Sequence, residues 1–158
     1  MRFPYSSYEV DLSPSVPNGV IYRPEIVVRV IGPRGAVVLQ ALADTGSDET
    51  VLPLSLAIAI GVDLNYQQAG TACGISGHPL DLIPGRVTLE LSQDEEVYRW
   101  QTTVAFMELA SVADETVLLG HAGFFEYFTA CFDSENRELS LAANSRITSW
   151  RDCPDPAA

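Results

Sequence analysis

The residues best suited to chemistry lie in "ALADTGSDETVLP", residues 41–53, where Asp44-Thr45-Gly46-Ser47 interrupts small and apolar residues that return at Val51. A carboxylate at the end of an apolar run is either part of an ordinary turn, which Asp, Gly and Ser all favour, or a group placed to move protons. Other reactive side chains are few. "GISG" around Ser76 is not the G-x-S-x-G of a nucleophile elbow, and neither His78 nor His121 has a triad partner at a readable spacing. A Cys73/His78 dyad would put its nucleophile on a glycine-rich loop with no orienting acid. The three cysteines, Cys73, Cys131 and Cys153, show neither C-x-x-C nor zinc-ligand spacing, so no metal and no disulfide framework is expected.

The elements that must position Asp44 can be read from periodicity. "EIVVRVI" and "AVVLQALA" are rich in β-branched and apolar residues and flank the turn "GPRG", so they predict a hairpin whose second strand delivers Asp44. "PLSLAIAIG" predicts a short helix, with Pro53 at its first position and Gly61 as its stop. "AGTACGISGHPLDLIPG" carries four glycines and two prolines and suits a glycine-tipped hairpin or a loop. "RVTLEL" alternates, with Val87, Leu89 and Leu91 on one face and Arg86, Thr88 and Glu90 on the other. After the charged turn "SQDEE", "VYRWQTTVAF" alternates again. "TVLLG" reads as a short buried strand, "FFEYFTACF" as a helix burying Phe124, Phe128, Cys131 and Phe132, and "NRELSLAA" as a closing strand. Residues 1–23 read as an irregular or edge-pairing arm, 24–143 as the domain, and 144–158 as a tail with little pattern.

Bulk properties narrow the partners. At 158 residues the chain can bury one core, and 47% hydrophobic content marks it as globular. Its formal charge of −12, from 21 acidic against 9 basic residues, opposes nucleic acid and anionic membrane surfaces. The longest apolar run, "VLPLSLAIAIGV", is too short to span a bilayer, and the N-terminus lacks a signal-peptide core, so a cytoplasmic setting is expected.

Taken together, Asp44-Thr45-Gly46-Ser47, the following "TVLP", the glycine-rich hairpin and Leu118-Leu119-Gly120 resemble the retroviral-type, retropepsin-like, single-domain aspartic proteases. The match runs over 24–143 by order of elements, and its specific points are the DTGS turn and Leu118-Leu119-Gly120. A given tetrapeptide arises by chance on the order of once in several hundred chains of this length, so the surrounding order adds much of the weight. The resemblance implies a mainly β fold: a closed barrel with one short C-terminal helix and a flap hairpin. It implies that Asp44, Thr45 and Gly46 are catalytic, with Thr45 bonding across a dimer and Gly46 letting backbone N–H groups approach the carboxylates. Ser47 would bond the outer carboxylate oxygen, and Asp48 would contact substrate backbone or serve only as a turn or capping acid. Gly74, Ile75, Ser76 and Gly77 would form the flap over substrate, and Gly120 would pack beneath the catalytic loop. Where retroviral members carry Arg after the Leu-Gly element, this chain has His121.

The implied chemistry needs two carboxyls. Held about 3 Å apart they repel by roughly 5 kcal/mol at an effective dielectric near 20, so they share one proton and supply both acid and base. The chain holds no second Asp-Thr-Gly or Asp-Ser-Gly; Asp133-Ser134 is followed by Glu135. The partner carboxyl is therefore expected from a second copy across a two-fold axis. The expected protein is a homodimeric aspartic endopeptidase acting on peptide or protein substrates without a cofactor. The alternative is a retropepsin-like module that keeps the fold for dimerisation or peptide binding.

Overall fold

A computed structural model describes residues 1–73, 79–108 and 117–147 of the chain. The described residues form twelve strands, and the alternation seen in the sequence explains the central ones. β4 (Glu25–Gly32) buries Ile26, Val28 and Val30 and exposes Val27 and Arg29. It turns through Pro33 and Arg34 into β5 (Gly35–Ala43), register Gly32↔Gly35 to Glu25↔Leu42. β8 (Pro79–Gln93) buries Val87, Leu89 and Leu91, and β9 (Glu96–Met107) buries Trp100, Thr102, Val104 and Phe106, as period-two strands must.

These strands close on themselves. The order β4-β5-β10-β6-β9-β8, with β8 returning to β4 through Arg29↔Glu90, Val30↔Leu89 and Ile31↔Thr88, makes a closed six-stranded barrel. Here β6 is Val51–Pro53 and β10 is Leu118–Leu119. A seventh strand, β7 (Gly70–Cys73), continues the sheet by pairing with Pro79–Leu82 of β8, so the β7–β8 hairpin projects beyond the ring. Leu52, Leu89, Phe106, Leu119 and Phe124 fill the core.

Glu90 departs from the sequence reading. It falls on the polar face of β8, yet it is buried, because Arg29 and Arg99 stand opposite it on the two neighbouring strands. Arg29 Nη1 lies 3.2 Å from Oε1, and Arg99 Nε donates to Oε2 at 2.7 Å while its Nη2 meets the same oxygen. The Arg29 pair thus crosses the β4–β8 seam where the barrel closes, and the Arg99 pair joins β8 to β9.

The helix α1 (Leu54–Ile60) buries Leu56, Ala57 and Ile60. Pro53 ends β6 and sits at the N-cap rather than inside the helix, and Gly61 adopts φ 74° to stop it. The expected C-terminal helix is not formed. After a short 3₁₀ turn at Phe125–Tyr127 the chain enters β11 (Phe128–Asp133), which pairs along its length with β12 (Glu138–Ala143). "FFEYFTACF" satisfies both periods, and so short a run is decided by its neighbour: "NRELSLAA" offers a strand partner that a helix could not use. The aromatic residues still serve as core. Phe124 and Phe128 are buried, and the Phe128 ring lies 5.2 Å from Trp100, whereas Cys131 points outward.

Residues 1–23 pair at edges, as the sequence allows. β1 (Arg2–Pro4) joins β12 of the same chain, and β2 (Ser6–Glu9) forms a hairpin with β3 (Val20–Arg23) that is tied to the barrel by Gln40 donating to Ser6 Oγ at 2.7 Å. Among the described residues, no helix is long and apolar enough to cross a membrane.

Candidate functional site

β10 lies between β5 and β6, parallel to the first and antiparallel to the second. Residues 44–50 join β5 to β6, so they must cross the end of β10, and that crossing creates the site. Asp44 N–H donates to Leu119 O at 3.0 Å, which extends the β5–β10 ladder by one residue and places Asp44 where the strand ends. The loop then passes over Gly120. A Cβ at position 120 would lie 2.2 Å from Glu49 O and 2.7 Å from Ser47 O, both backbone atoms, so only glycine admits the crossing. His121 and Ala122 N–H groups donate to Ser47 and Asp48 carbonyls at 3.0 and 2.9 Å, fastening the loop to the segment that follows β10.

Within the loop, Gly46 N–H donates to Asp44 Oδ1 at 2.9 Å, so a backbone group reaches the carboxylate. Asp44 is half-buried, while Thr45 and Gly46 are exposed in the single chain. Ser47 differs from expectation: its hydroxyl donates to Glu49 O at 2.7 Å rather than to a carboxylate oxygen. A hydroxyl carries one hydrogen, and here the loop's own carbonyl takes it. Asp48 is exposed and caps no helix, since α1 has Pro53 at its N-cap without a side-chain cap bond. Leu118 and Leu119 form β10, with Leu119 fully buried.

Asp44, Gly46, Ser47 and Asp48 share one wall of a cleft of about 1050 Å³. The β7–β8 arms contribute Thr71, Ala72, Leu80 and Leu82, and β9 contributes Val104 and Met107. Asp44, Asp48 and Glu49 thus line a mostly apolar cavity whose described lining holds no Lys, Arg or His. Gly74, Ile75, Ser76 and Gly77, like His78 of the alternative dyad, lie outside the described residues, and the side chain of Cys73 does as well.

Two residues that sequence reasoning did not assign to the site support it. Thr50 is fully buried: its N–H donates to Ala122 O, its carbonyl accepts from Ala105 N, and its Oγ1 accepts from Gly120 N at 3.2 Å. Its signal in the sequence is its place at the head of "TVLP", where a polar residue enters an apolar run. His121 is exposed, and its Nε2 lies 3.0 Å from Thr45 O, with its ring 5.7 Å from that of Phe125. In comparison with known proteins, no family model matches the chain and no curated protein matches it significantly.

Proposed function

We propose that this chain is a retropepsin-like aspartic endopeptidase whose site is completed by a second copy. The observation that carries the reading is Asp44 itself: it is held at a strand end by backbone bonds, takes the Gly46 N–H on Oδ1, and lines a cleft of about 1050 Å³. The exposure of Thr45 and Gly46 in one protomer supports an interface there. In the dimer, Thr45 bonds across the axis, and the two Asp44 carboxyls share one proton. The ionised carboxyl takes a proton from water as it attacks the scissile carbonyl, and the protonated one gives its proton to the carbonyl oxygen. As the C–N bond breaks, the amine leaves with the proton taken from water. A hydroxyl of the gem-diol returns its proton to the carboxyl that had protonated the carbonyl oxygen, which forms the acid product and restores the singly protonated pair. The β7 and β8 arms belong to the flap hairpin that walls the cleft and offers backbone groups to the substrate.

The test is digestion of a peptide library by wild type and Asp44→Asn side by side. Cleavage by wild type, reduced at least about a thousandfold in the variant, is expected when one carboxyl of an acid–base pair is lost. Equal cleavage by both would end the proposal. Peptide binding undiminished by Asp44→Asn, with no cleavage at any pH, would instead identify a binding module.

A further inference from the structure

His121 stands next to the glycine that the loop crosses, and its ring does something the backbone cannot. Nε2 lies 3.0 Å from the carbonyl oxygen of Thr45. A carbonyl only accepts, so Nε2 must carry the proton. That carbonyl belongs to the same planar peptide group as the N–H of Gly46. The Gly46 N–H, in turn, donates to Asp44 Oδ1 at 2.9 Å. One rigid plane therefore links the imidazole to the carboxylate, with His121 holding its oxygen end and Asp44 accepting from its nitrogen end.

We infer that His121 is a positioning residue for Asp44, acting through the Thr45–Gly46 peptide plane. Ser47 N–H donates to Asp44 O at 3.2 Å and closes the turn around this plane. The central peptide of such a turn can nevertheless turn over with that bond intact, as turn types I and II show, and Thr45 and Gly46 are exposed. Fixing the carbonyl end aims the N–H at Oδ1. It also polarises the amide and makes that N–H a better donor, as happens in chains of hydrogen bonds. The ring itself is held by its contact with Phe125 and by the backbone bonds His121 N–H to Ser47 O and Glu126 N–H to His121 O. Asp44 is the reacting group in this account, and His121 touches neither substrate nor the reacting atoms. The geometric link stands on the structure alone, and its catalytic consequence rests on the protease reading above.

The test has a spectroscopic arm that needs no turnover. At about pH 8, where an ordinary imidazole is neutral, ¹⁵N NMR of the unmodified protein is expected to show His121 as the Nε2–H tautomer. The Nδ1–H tautomer would overturn the inference without any variant being made. His121→Phe keeps a ring against Phe125 but removes the donor, whereas His121→Gln returns an N–H to the same position. In His121→Phe the Gly46 amide proton should move upfield and exchange about tenfold faster, and kcat should fall about tenfold with KM within about twofold, the scale of one lost hydrogen bond. His121→Gln should restore both to within about threefold. An unmoved Gly46 amide in His121→Phe would overturn the inference. So would His121→Gln behaving like His121→Phe, which would assign the effect to ring packing. If the Gly46 amide responds as described while no peptide is cleaved by the wild type, the link between His121 and Asp44 is supported and only the protease reading fails.

Discussion

At the scale of single residues, the site depends on side chains that do no chemistry. Gly120 is required because two backbone carbonyls occupy the space a Cβ would fill. Thr50 is required because its hydroxyl satisfies the buried N–H of Gly120. Replacing Thr50 with Val keeps the shape and removes the acceptor, leaving that N–H unpaired. The expected loss is about 1–3 kcal/mol, measured as a shift in the urea midpoint with unchanged slope, and activity should fall with it because the loop carrying Asp44 rests on this bond. A midpoint within error of wild type would show that the hydroxyl is dispensable. Asp44 and Gly120 are legible in the sequence, since a DTGS turn and a Leu-Leu-Gly element mark them. Thr50 is legible only as the first residue of the "TVLP" after the DTGS turn, and its role is not, because its partner lies seventy residues away.

At the scale of elements, closure of the barrel concentrates at the β4–β8 seam, where Glu90 accepts from two arginines on opposite sides. Glu90→Ala would leave two facing guanidiniums without their shared carboxylate. Both are partly exposed, so the expected cost is about 2 kcal/mol rather than that of a fully buried pair. Thermal melting checks it, and Glu90→Gln should lose less because its amide oxygen can still accept. The β11–β12 turn makes a pH prediction. Asn136 donates to Asp133 from its side chain and its backbone N–H, which holds the Asp133 carboxyl below the usual carboxylate range. A group whose folded pKa is depressed contributes stability above its unfolded pKa and loses it as pH falls through the folded one. NMR titration of Asp133 should therefore show a midpoint below 3.8, and Asn136→Ala should move it upward. No movement would remove Asn136 as the cause. This same segment is where the sequence misleads: the spacing of Phe124, Phe128, Cys131 and Phe132 fits a helix, and strand pairing with β12 overrides it.

At the scale of the whole molecule, a protomer of charge −12 is proposed to meet its own copy with two carboxyls at the axis. Under that proposal the charge and the paired carboxyls both favour acidic conditions. Protonation relieves repulsion between protomers, and the shared proton of the Asp44 pair is lost as pH rises. Activity is therefore expected to be higher at acidic than at alkaline pH, and sedimentation should show a dimer that weakens toward alkaline pH. A rate that climbs steadily into alkali, or a strict monomer at all concentrations, would contradict the two-carboxyl reading. Asp44→Asn removes the negative charge of the pair at the axis and should leave the dimer intact, so the loss of activity and the loss of assembly can be told apart.

The amino-acid sequence by itself determined the β class, the hairpin that delivers Asp44, the helix stopped by Gly61, and the acid on its turn, because alternation, turn chemistry and capping are local and act over a few residues. Only the tertiary structure decided that β10 would lie between β5 and β6, that the aromatic run would pair as a strand, that Glu90 would be buried between two arginines, and that His121 would reach the peptide group next to Asp44. Each of these joins residues far apart along the chain, and the free energy that selects among such pairings resides in packing and hydrogen bonding that exist only once the barrel has closed.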